Sequence, residues 1–131
     1  MGLNIFQRRR ILKGANYLDL VPVRRQSYET GEDGLVTLLV PKFSNKSLSN
    51  FLVPKTKSDH FRIKFDELGS ATWQAIDGKL NVGQLCQKLS DSLGEKIFPA
   101  EERVPKFLTL MYEQRYITFQ ELIDAENRSR I

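Results

Sequence analysis

One histidine, His60, and one cysteine, Cys86, are the only such groups in a chain of 131 residues. A zinc site needs several such ligands, and a Cys–His nucleophile pair needs the two to meet in space. Cys86 falls on the apolar stripe Val82, Leu85, Cys86, Leu89 and Leu93, which predicts a buried core thiol. His60 is expected at the surface, where a strand begins. The adjacent carboxylates Asp66/Glu67 and Glu101/Glu102 could in principle do acid–base work. Both pairs stand at predicted helix starts, where capping and the helix dipole account for them. No GxGxxG, GxxxxGK(S/T) or GxSxG motif occurs. The expectation is a protein that is not an enzyme, with no catalytic residue, no metal and no cofactor.

The elements that would carry other chemistry divide by charge. The net charge of +4 is uneven: residues 1–65 hold 12 Lys/Arg against 5 Asp/Glu, and residues 66–131 hold 8 against 11. A basic first half suits an acidic partner or simply a solvated face. Composition, 40% hydrophobic, allows one compact domain. No apolar run is long enough to span a bilayer, the basic run of Arg8–Arg10 follows rather than precedes the short apolar start, and Phe6 stands where a myristoylation motif needs Ser or Thr. These features, with a single cysteine, predict a cytoplasmic protein with no membrane partner.

Periodicity separates the same two halves. "YLDLVPVRRQSYE" alternates, "GLVTLLVPKF" is β-branched, and the acidic "TGEDG" lies between, predicting a hairpin of Asn16–Thr30 with Leu35–Phe43. "HFRIKF" alternates strictly, with Phe61, Ile63 and Phe65 on one face and His60, Arg62 and Lys64 on a cationic outer one. From Asp66 the period becomes helical. Asp66 is the expected N-cap, Gly78 the left-handed C-terminal position, and Asn81 with Gln84 a capping box for the next helix. Trp73 flanks the apolar face Leu68, Ala71, Thr72, Ala75 and Ile76, which predicts packing rather than ligand stacking. A third helix is expected after Pro99 with Pro105 near its first turn and Val104, Phe107, Leu108 and Met111 toward the core. "YITF" reads as a short extended piece, and Thr118 with Glu121 as a capping box for a polar tail helix. The basic arm and the polar loop Ser44–Ser58 show no period that could bury a face and are expected to be mobile or partner-dependent.

The predicted class is α+β and winged-helix-like: an N-terminal three-stranded antiparallel sheet, three helices and a short C-terminal tail helix. The expected organisation is a basic arm (1–14), one domain (15–119) and a polar tail (120–131), in a monomer or weak dimer.

The stretch "FDELGSATWQAIDGKLNV" resembles the signature of the PqqD family, also called RiPP recognition elements, at Glu67, Gly69, Trp73, Ile76, Asp77, Gly78 and Val82. "RVPKFLTLMYEQRYI" is similar to that family's third helix and extended exit. The resemblance covers about residues 60–117. It implies a peptide-binding module that takes the leader of a ribosomally made precursor peptide and presents it to a modifying enzyme, often a radical SAM protein. The leader would add beside the third strand, against the third helix. An exposed sheet edge offers N–H and C=O groups that an extended peptide can satisfy. The peptide-binding residues expected on that basis are His60, Arg62 and Lys64 on the strand, with Arg62 and Lys64 attracting leader carboxylates. A helical wheel adds Arg103, Lys106, Leu110 and Gln114 on the third helix.

Two other classes fit the layout. A winged helix could bind DNA through its third helix, but Glu101, Glu102 and Glu113 there balance Arg103, Lys106 and Arg115, which argues against a phosphate-facing element. A structural accessory subunit of an enzyme is the other alternative.

Overall fold

The computed structural model describes residues 3–42 and 60–129. Among them the chain is α+β, with five α-helices and two small antiparallel sheets. The helices are α1 (Ile5–Gly14), α2 (Glu67–Ala75), α3 (Val82–Leu93), α4 (Ala100–Glu113) and α5 (Gln120–Ser129). The strands are β1 (Pro22–Arg24), β2 (Tyr28–Thr30), β3 (Val36–Pro41), β4 (His60–Lys64) and β5 (Ile117–Phe119). The loop Ser44–Ser58 lies outside the described residues. Two compact units divide the chain, one of Met1–Arg25 with Ala71–Ile131, the other of Gln26–Ser70.

The smaller unit contains the three-stranded sheet, in the order β2–β3–β4. Its hairpin turns where "TGEDG" predicts. The Gly31 N–H donates to the Leu35 carbonyl at 2.9 Å, Asp33 Oδ1 accepts from the Leu35 N–H at 3.0 Å, and Gly34 takes φ +80°, which glycine adopts without a Cβ clash. The strands that flank it are shorter than expected. Only Tyr28–Thr30 pairs with β3, as Tyr28↔Leu38, Glu29↔Thr37 and Thr30↔Val36. The alternating residues before them belong elsewhere: β1 pairs with β5 through Pro22↔Phe119, Val23↔Thr118 and Arg24↔Ile117. This corrects the single long hairpin. Proline at position 22 donates no ladder bond, which suits the first residue of a strand in a two-stranded sheet.

In the larger unit, local signals set the helices. Asn81 Oδ1 accepts from the Gln84 N–H at 2.7 Å while Gln84 Oε1 accepts from the Asn81 N–H at 2.8 Å, so α3 starts on the expected capping box. Gly78, at φ +77°, ends the turn after α2. Val82, Leu85, Cys86 and Leu89 on α3 are buried, as are Val104, Leu108 and Met111 on α4. The Val82 N–H donates to the Leu20 carbonyl at 2.9 Å, joining the start of α3 to the segment before β1. Trp73 is fully buried, as the packing reading expects.

Several local expectations are corrected. Pro105 sits inside α4 rather than in its first turn. It removes one i→i−4 bond, and its carbonyl accepts from the Tyr17 hydroxyl at 3.3 Å. Phe107 is half-buried rather than a core residue. Glu121 does not cap Thr118: its Oε1 accepts from the Val21 N–H at 3.0 Å, while the Gln120 N–H donates to the Val21 carbonyl at 2.7 Å. Together they extend the β1–β5 ladder by one step. The basic arm forms a helix, α1, nucleated by a second capping box between Asn4 and Gln7. No α1 residue is fully buried, in keeping with the absence of an apolar period.

Candidate functional site

The edge of the three-stranded sheet is set by the phase of its ladder. Residue pairs in an antiparallel ladder alternate between hydrogen-bonded and non-hydrogen-bonded. The Phe65 N–H donates to the Val36 carbonyl at 2.8 Å, and the register continues as Ile63↔Leu38 and Phe61↔Val40. Phe61, Ile63 and Phe65 therefore turn their main-chain groups toward β3. Arg62 and Lys64, opposite Leu39 and Thr37, turn theirs to the outer edge. The other side of β3 agrees with this phase, since the Leu39 N–H donates to the Ser27 carbonyl at 2.9 Å. Among the described residues no further strand pairs with β4.

The side chains of that edge are arranged differently from the expectation. Arg62 forms an ion pair with Glu29 of β2, and Lys64 Nζ lies 2.9 Å from Asp33 Oδ2 in the hairpin turn. The Lys64 contact, followed by the Leu35 N–H, holds the Asp33 carboxyl below its ordinary value. Both pairs are solvent-exposed, so water and salt screen them. A shallow depression of about 420 Å³ lies over this face, lined by Glu29, Glu32, Asp33, Thr37, Arg62 and Lys64 among others. The face expected to be cationic thus carries three carboxylates beside two cations, a slight acidic excess. The signal was present in the acidic "TGEDG" turn, whose reach to the third strand appears only once the register is fixed.

On the opposite sheet face, Phe61 is 55% exposed although it shares that face with the half-buried Ile63 and Phe65. The Lys42 ammonium stands 5.4 Å from the centre of its ring, a cation–π distance. His60 is half-exposed at the start of β4.

The expected helical residues belong to the larger unit. Arg103, Lys106 and Leu110 are exposed along one strip of α4, with Leu110 51% exposed. Gln114 is exposed at the C-cap, one residue past the helix. The strand residues thus belong to the smaller unit and the helix residues to the larger one. Elsewhere in the larger unit, burial pushes the Tyr17 hydroxyl up in pKa, against the hydrogen bond it shares with Thr109 Oγ1 at 3.0 Å. Burial also raises the Cys86 thiol, with Glu101 adding to the effect. A thiol held protonated is a poor nucleophile. No protein-family model, curated protein or solved structure matches the chain.

Proposed function

We propose that this chain is a non-catalytic peptide-binding module of the winged-helix-like PqqD type, which binds the leader of a ribosomally synthesised precursor peptide and presents it to a modifying enzyme of the radical SAM class. The observation that carries the reading is the outer edge of β4, where the main-chain groups of Arg62 and Lys64 point away from β3. An extended segment laid there gains ladder bonds at alternate residues. Its affinity comes from the main chain, and its selectivity from side chains that meet Phe61 on one face and the Arg62–Glu29 and Lys64–Asp33 pairs on the other. A leader carboxylate approaching Arg62 or Lys64 competes with a carboxylate already in place, so acidic residues in the leader contribute less than bare cations would give.

The DNA-binding alternative has less support. The exposed surface of α4 carries Glu101, Glu102 and Glu113 beside Arg103 and Lys106, which leaves little positive field for phosphates.

The test is calorimetric titration of the protein with a synthetic leader peptide from a short precursor encoded beside its gene. Arg62→Pro removes an N–H that points outward and spares the bonds to β3, a substitution that edge strands tolerate. It should weaken the peptide by more than about tenfold, or about 1.4 kcal/mol. Unchanged affinity in a folded Arg62→Pro protein would contradict the reading.

A further inference from the structure

The peptide reading leaves the outward face of α1 unused. Ile5 and Phe6 are 48% and 73% exposed in its first turn. Arg9, Arg10 and Lys13 are exposed over the following turns, while Arg8, Ile11 and Leu12 are half-buried. At 100° per residue, Ile5, Arg9, Lys13, Phe6 and Arg10 fall within one arc of about 140°, and the half-buried residues fall outside it. The Arg8 guanidinium is occupied in donating to the Leu3 carbonyl at 2.9 Å. No Asp or Glu occurs between Leu3 and Leu18, so nothing along the helix neutralises the strip.

From this geometry we infer that α1 docks on an anionic lipid surface. Ile5 and Phe6 enter the acyl boundary, and Arg9, Arg10 and Lys13 meet the lipid phosphates and carboxylates. Three properties select this occupant. The strip carries only cations and apolar groups, so its complement is anionic with an apolar interior. It is convex and made largely of long flexible side chains, which a fluid surface accommodates without freezing each in one rotamer, as a rigid protein partner would. The exposed phenyl ring of Phe6 has no counterpart on a duplex, whose outer surface is phosphate and sugar. Long cationic side chains can lie along the boundary with their heads at phosphate level.

This contact is peripheral: no helix among the described residues is long and apolar enough to cross a membrane. The expectation of no membrane partner rested on the lack of a span, of a secretory signal and of a myristoylation motif, none of which bears on a surface contact of this kind. It also stands independently of the peptide reading.

The test is co-sedimentation of the full chain with phosphatidylcholine vesicles, with and without phosphatidylserine. Binding is expected only when phosphatidylserine is present, and it should weaken as salt is raised. Arg9→Gln/Arg10→Gln should weaken it about thirtyfold, and Phe6→Ala about tenfold. Arg9→Lys/Arg10→Lys keeps the charge and should retain binding, which separates lost electrostatics from a lost helix. Failure to bind phosphatidylserine vesicles, equal binding to phosphatidylcholine alone, or full binding by Phe6→Ala would overturn the inference. Binding to duplex DNA without binding to vesicles would overturn it as well.

Discussion

Ser70→Ala isolates one buried hydrogen bond in the unit that carries the β4 edge. Ser70 Oγ accepts from the Val36 N–H at 2.8 Å, and the two residues are 2% and 0% exposed. Val36 opens β3, and its carbonyl already accepts from Phe65. Its N–H is therefore completed by a side chain from α2 rather than by the ladder. Alanine there leaves a buried donor with nothing to bond, at a cost of about 1–3 kcal/mol. The lost hydroxyl leaves little empty volume, so the cavity contribution is small. Ser92→Ala serves as the control, because that hydroxyl makes only a long bond of 3.4 Å to the Leu89 carbonyl at an exposed site. It should stay within about 0.5 kcal/mol of the parent. Urea melts followed by circular dichroism give both values. A Ser70→Ala loss no larger than the Ser92→Ala loss would refute the assignment of that bond as the anchor of β3.

Arg115 closes α4 at φ +67°, so Arg115→Gly should stabilise the protein by about 0.5–1 kcal/mol, the left-handed strain exceeding the entropy glycine adds to the unfolded chain. A destabilised variant in denaturant melts would contradict this. Leu108→Ala removes a fully buried side chain and should cost about 2–5 kcal/mol, whereas Phe107→Ala, at a half-buried site, should cost clearly less; the reverse order would show that α4 buries another face. Asp33 and Asp77 both have depressed carboxyl pKa values, Asp33 chiefly through Lys64 and Asp77 through the N–H groups of Leu80 and Lys79. Their contribution is present above the unfolded value of about 3.9 and is lost as pH falls through the lower folded values. The parent's melting midpoint should therefore fall more steeply below about pH 4 than that of Asp33→Asn/Asp77→Asn; parallel curves would contradict it.

What the sequence made legible was local. Asp66 caps α2 by accepting from the Gly69 N–H at 2.8 Å, and Gly78 and the Asn81–Gln84 box fall where they are expected, because each involves groups within a few residues. The β1–β5 pair was not legible, since its register is chosen between opposite ends of the chain and both strands are only three residues long. Arg115 gave no signal, because nothing in its type announces a left-handed turn; the bonds from Arg115 N–H to Tyr112 and from Tyr116 N–H to Met111 impose it. At the β4 edge, alternation correctly put Arg62 and Lys64 on one face. Their partners Glu29 and Asp33 lie across the sheet, beyond the reach of any one-strand pattern. The helix of the basic arm was announced only by Asn4 and Gln7, a capping box inside a segment whose charge drew attention first.

Amide hydrogen exchange at Arg62 and Lys64, measured with and without the leader peptide, tests the central claim most directly. If the peptide completes the sheet beside β4, both amides exchange fast in the free protein and become protected in the complex, while Ile63, whose main-chain groups face β3, changes little. Binding that leaves Arg62 and Lys64 exchanging as fast as in the free protein would contradict strand addition at this edge.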